Sequence, residues 1–170
     1  MKTLTVNLYE FSELDKHIQE KVIQQNNDIN FHSNWWEYIY LDAEEIGLKI
    51  TGFELDNGNY CNGEFISNYY DTANLIIKNH GENCNTYKTA ANFLKEYTLK
   101  SELVGDNDNP FNSGVSEIEH LQQQFLDDLL YDYLTILKTE YEYLTSDEAI
   151  IETIEANGYT FEANGTMRNI

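Results

Sequence analysis

The stretch LKITGFELDNGNYCNGEFI, residues 48–66, decides between an all-helical chain and a mixed one. Two strand-like runs flank Asn57-Gly58, and both of these residues accept positive φ, so the stretch reads as a β-hairpin. Its alternation changes parity near Gly52. Leu48 and Ile50 point one way, Phe53 and Leu55 the other, and a β-bulge in the first strand accounts for the change.

Working outward, Gly47 ends a helix that runs from about Trp35 to Ile46. Trp36, Ile39, Tyr40, Ala43 and Ile46 form its buried side, while Trp35, Tyr38, Asp42 and Glu45 make a second stripe, aromatic and acidic. Before it, LTVNLYEF (4–11) alternates like a strand. Ser12 then caps a helix with Asp15 in the capping-box position, and Leu14, Ile18 and Val22 line one face. NNDINFHSN is a polar break between these two helices. After the hairpin, helices are expected from about Asp71 to His80 and from about Tyr87 to Leu99. A third starts at Ser116, with Glu119 as its reciprocal capping residue. A last helix starts after Thr145, with Glu148 reciprocal, and stops at Asn157-Gly158. YTFEANGTM supplies a closing strand and a small hairpin at Asn164-Gly165. This order predicts an α+β fold: a small antiparallel sheet of N-terminal strand, central hairpin and C-terminal strand, packed with about six helices. At 170 residues the chain suits a single domain, 1–170, with an acidic helical part at about 116–157.

Charge is the strongest compositional feature. Ten Lys and Arg face 30 Asp and Glu, a net −20, and residues 101–170 hold 15 acids and 2 bases, a net −13. Direct nucleic-acid binding requires cations that displace counterions from phosphates, so that class is excluded, as is an anionic membrane surface. No apolar run approaches the ~20 residues a membrane span needs. The opening MKTLTVNLYEF has no apolar core of a signal peptide, and with only Cys61 and Cys84 the chain reads as cytoplasmic with free thiols. A basic protein partner remains, beside the plainer reading that acidity serves solubility or tolerance of high salt.

The run FLDDLLYDYLTILKTEYEYL (125–144) carries this question. On a helical wheel Ile118, Phe125, Leu129, Tyr133, Ile136 and Leu137 fall on one side. Glu117, Asp127, Asp128, Tyr131 and Glu142 fall opposite, with Asp132 at the margin and His120 and Lys138 among them. Asp128 and Asp132, four apart, repel by a few tenths of a kcal/mol. Carboxylates roughly 5–6 Å apart on a helix imitate a row of phosphates, a nucleic-acid mimic for a cationic groove. The following helix adds Asp147, Glu148, Glu152 and Glu155. These ten residues are the candidate partner-binding set.

Chemistry finds little support. Asp106, Asp108, Asn112 and Glu117 occupy positions 1, 3, 7 and 12 of an EF-hand loop, but Pro110 and Phe111 spoil its centre. His80-Gly-Glu-Asn-Cys84 suggests a metal pair or a Cys–His dyad, yet zinc lacks two ligands and a dyad lacks an orienting group. A histidine at a helix C-terminus beside a thiol is the plainer account. There is no phosphate-binding loop, dinucleotide fingerprint or serine elbow. Neither catalytic residues, metal ligands nor cofactors are expected, and the chain reads as non-enzymatic.

The segments LYEFSELDKHIQEKVIQQNNDIN, WW…YLDAEEIGLKITGFELDNGNYCNGEF and DTANLIIKNHG resemble small acidic proteins encoded by bacteriophages and prophages. The resemblance covers about residues 4–100 and rests on a succession of short motifs, so it carries no functional residues across. It implies an inhibitor of a bacterial defence system, such as an anti-CRISPR protein against an RNA-guided RNA nuclease of the type VI-B class. The expected partner is then a CRISPR effector nuclease whose guide or target RNA binding is disturbed. The alternative is an antitoxin-like or regulatory module that neutralises another basic protein.

Overall fold

The computed structural model describes residues 6–31, 34–104 and 113–168, except the side chains of 103–104 and 113–116. The EF-hand positions 106, 108, 110, 111 and 112 lie outside the described residues, as do the first two residues of the expected strand at 4–11. The fold is α+β, with six α-helices and two small antiparallel sheets among the described residues. It divides into two compact units. One comprises residues 1–35 and 139–170, the other residues 36–138.

The unit that joins the chain ends contains β1 (Tyr9–Glu10), a 3₁₀ turn (Phe11–Glu13), α1 (Lys16–Gln25), α6 (Asp147–Ala156), β4 (Thr160–Phe161) and β5 (Met167–Arg168). Its sheet has the order β1-β4-β5, with Tyr9 opposite Phe161 and Phe161 opposite Met167. Phe11, Leu14, Val22, Ile150, Ile154 and Phe161 form its core. Burial of each large apolar side chain stabilises by about 1.5–3 kcal/mol. Two helix starts differ from the sequence reading. Ser12 lies inside the 3₁₀ turn, whose capping box is Glu10 and Glu13. Leu14 then takes extended backbone as its side chain enters the core, so α1 begins only at Lys16. The cap of α6 is Ser146 rather than Thr145. The Ser146 hydroxyl accepts from the Ala149 N–H at 3.2 Å, while Thr145 donates back to the Tyr141 carbonyl. The expected small hairpin at Asn164-Gly165 is present. Gly165 takes φ +87°, and a Cβ there would stand 3.0 Å from Val22 and 3.1 Å from Ile18.

The other unit holds α2 (Glu37–Glu45), β2 (Leu48–Glu54), β3 (Tyr60–Phe65), α3 (Tyr69–Asn79), α4 (Asn85–Val104) and most of α5 (Ser113–Leu144). β2 and β3 pair as the expected hairpin, but as a sheet of their own rather than beside the terminal strands. The register shifts between Ile50 and Gly52, which makes Thr51 the extra residue of the expected bulge. The turn itself differs. Glu54 and Tyr60 form the last pair, so five residues turn the chain, and positive φ falls on Gly58 and Asn59 rather than on Asn57 and Gly58. Gly63 is required by close approach. A Cβ there would lie 2.6 Å from the Lys49 carbonyl oxygen and 2.8 Å from Leu130 on α5. Phe93 of α4 stacks on Phe125 of α5 with centroids 4.2 Å apart, and Phe65 of β3 stacks on Phe125 at 5.5 Å. Leu129, Tyr133 and Leu137 continue the buried stripe, whereas Ile136, expected on it, is exposed. α5 starts at Ser113, three residues before the expected cap at Ser116, so Ser116 lies within the helix.

Candidate functional site

Nine of the ten expected partner-binding side chains stand in solvent. On the α5 segment of residues 113–138 these are Glu117, Asp127, Asp128 and Tyr131, the last 69% exposed. In the other unit Glu142, Asp147, Glu148, Glu152 and Glu155 are exposed. The burial of Phe125, Leu129, Tyr133 and Leu137 turns the opposite face of α5 outward, and Ala149, Ile150 and Ile154 do the same for α6. The charges are not equally available. Glu117 forms an ion pair with Lys100 at 3.0 Å, and Asp127 accepts a hydrogen bond from Gln123 at 2.8 Å.

Asp132 is the correction. It is 8% exposed, and its Oδ2 accepts a 2.7 Å hydrogen bond from the Thr89 hydroxyl on α4. At 100° per residue it lies at the edge of the polar arc, and α4 covers that edge. Burial raises its carboxyl above the ordinary value, Thr89 opposes the shift, and Asp128 adds to it. This acid belongs to the packing between α4 and α5, not to the solvent-exposed face on which the sequence places it.

Next to it lies a polar cluster that joins four elements. The Tyr133 hydroxyl donates to Asp42 Oδ2 at 2.7 Å, and His80 Nε2 stands 3.7 Å from Asp42 Oδ1. On the far side of the imidazole, Nδ1 meets the Thr86 hydroxyl at 2.8 Å. Tyr133 is fully buried, and desolvation, then the Asp42 hydrogen bond and the charges of Asp42 and Asp132, push its phenol far above the ordinary value. It therefore acts as a neutral donor to the carboxylate. The order hydroxyl–imidazole–carboxylate is that of a catalytic triad. However, Thr86 is 3% exposed, and 3.7 Å exceeds hydrogen-bond distance between His80 and Asp42. What this cluster does is tie α2, the end of α3, α4 and α5 together.

The same contacts decide the Cys–His question. Thr86 engages Nδ1 of His80, Asp42 faces Nε2 at 3.7 Å, and Cys84 is exposed just before α4. Cys61 sits half-buried on β3, and burial raises its thiol to about 11. Among the described residues no three His, Cys, Asp or Glu side chains gather in a way that could hold a metal ion. The sequence pattern places Tyr133 by its apolar body and Asp42 by its stripe, so it leaves the Tyr133–Asp42 bond hidden. The only signal was that each carried a polar atom on a helix with a buried face.

No helix among the described residues is long and apolar enough to cross a membrane. Comparison with family models, curated proteins and solved structures finds no match to this chain.

Proposed function

We propose that this protein is a non-enzymatic inhibitor that binds a basic, nucleic-acid-handling defence protein through its acidic helical surface. The observation that carries the reading is the outer face of α5. Asp127, Asp128 and Tyr131 are exposed there, directly opposite the fully buried Leu129 and Tyr133. A helix fixed so firmly by its apolar side holds its acids in a set array. Fixed charge costs less to order on binding than charge on a flexible segment. The acids steer a cationic partner by long-range attraction, and Tyr131, 69% exposed, supplies contact area once the two meet. The exposed acids of α6 extend the same chemistry. The anti-CRISPR reading, with a type VI-B effector as partner, follows from the resemblance to phage proteins rather than from the charge. Inhibition proceeds by interference with guide or target RNA binding.

The test is a tagged pulldown from host lysate, eluted with a salt gradient and identified by mass spectrometry. A basic nuclease released at moderate salt supports the reading. Loss of capture in a triple Asp127→Lys, Asp128→Lys, Glu142→Lys variant with unchanged melting assigns it to these acids. Undiminished capture by that variant removes the α5 surface from the interface. An antitoxin-like module predicts the same salt sensitivity with a basic partner outside CRISPR immunity, so the captured protein's identity separates the two.

A further inference from the structure

A cleft of about 260 Å³ opens in the unit formed by the chain ends, lined by Glu10, Phe11, Ser12, Ile154, Glu155, Gly158, Tyr159 and Thr160. It is far larger than the roughly 30 Å³ share of one water. It is also smaller than the roughly 300–1,000 Å³ clefts that take drug-sized molecules. One side chain is the natural size of its occupant.

The lining carries two carboxylates, Glu10 and Glu155, and no basic residue. The cleft also lies at the C-terminal end of α6, where the last carbonyls put the negative end of the helix dipole. Some of those carbonyls are already used. Tyr159 N–H donates to Ile154 and Gly158 N–H to Glu155, a Schellman closure allowed by the φ of +62° at Gly158. The Glu10 carboxylate takes one backbone donor, the Glu13 N–H of its capping box. An ionised carboxylate offers about four acceptor sites, so capacity remains. In the same lining, Phe11 and Ile154 are buried and apolar. An apolar lining that also carries two carboxylates matches a long alkyl stem that ends in a cation. A planar guanidinium, with five donors in a fixed fork, recognises a carboxylate with more hydrogen bonds and more directional specificity than a point-like ammonium.

We propose that this cleft binds the side chain of an arginine presented by the protein's basic partner. The inference deepens the proposed function, and it adds an anchoring pocket distinct from the outer face of α5. Of the eight lining residues only Glu155 belongs to the acidic array read from the sequence.

The experiment is an amide-resolved NMR titration of the intact protein with N-acetyl-arginine methylamide, compared with N-acetyl-norleucine methylamide. Saturable shifts are expected at Phe11, Glu155, Gly158 and Thr160 with the arginine probe only. Glu155→Gln should weaken binding at least five-fold. Ser12→Trp, which fills the cleft and keeps every charge, should abolish it. Equal response to norleucine overturns the proposal. So do shifts spread along the outer face of α5 that Ser12→Trp leaves unchanged. The pulldown keeps the two readings separate. A saturable cleft beside an empty pulldown removes the inhibitor and leaves the site. A captured basic partner held equally well by Ser12→Trp keeps the inhibitor and removes the site.

Discussion

Burial holds the Asp132 carboxyl above its ordinary value, against the pull of the Thr89 hydrogen bond and with help from Asp128 one turn away. Between the unfolded and folded pKa values the native state binds the extra proton. Its contribution to stability is complete below the unfolded pKa and is lost as pH rises through the folded one. Asp132→Asn keeps an acceptor for Thr89 and removes the ionisation. Urea titrations should therefore show the variant gaining on the parent as pH rises above the ordinary carboxylate value; a difference that stays constant as pH rises refutes the assignment. Tyr133→Phe tests the partner bond. Loss of a hydrogen bond to a carboxylate costs about 1.5–3 kcal/mol, read in the same titration at neutral pH. The two thiols should separate as well. Cys84 is exposed, whereas the Cys61 thiol is raised to about 11 and holds little thiolate near neutrality. Iodoacetamide should label Cys84 within minutes and Cys61 mainly after unfolding, as peptide mass mapping would show.

At the scale of elements, the β2–β3 hairpin shows what patterning conveys. The parity change at Gly52 located the bulge, because side-chain alternation is an intrinsic period of two. The turn differs from the sequence pattern because Asn57-Gly58 forms a two-residue loop only where the strands pair right up to it. Here pairing ends at Glu54 and Tyr60, and the positive φ moved one residue on. Gly63 and Gly52 look alike in sequence and should differ sharply. Gly63→Ala places a methyl against the Lys49 carbonyl and Leu130 and should cost about 1–3 kcal/mol. Gly52→Ala meets nothing within 4 Å and should change stability by less than about 1 kcal/mol. The start of α6 offers a similar pair. Ser146→Ala removes the cap and should cost about 0.5–2 kcal/mol, more than Thr145→Ala. Thermal melts of the four variants check both claims.

Across the whole molecule, a net charge of −20 makes self-repulsion a standing cost that salt relieves. Composition and periodicity determined the α+β class, the helices and their buried faces, the bulge and the closing hairpin. These follow from local rules: residues at helical or strand spacing either share a face or do not, whatever lies beyond. The exposure of nine of the ten candidate residues was legible for the same reason, since they lie opposite a strong apolar stripe. Tertiary structure alone decided the rest. It moved Asp132 from surface to interior by placing α4 over the margin of α5, and it paired Asp42 with Tyr133 across 91 positions of chain. It set the terminal strands in a sheet apart from the hairpin, and it gathered Glu10 and Glu155 around one cleft. A wheel or an alternation pattern states which side of an element is apolar, but not which neighbour covers its edge. Contacts between residues distant in the chain depend on how whole elements pack, and packing is where the local rules stop.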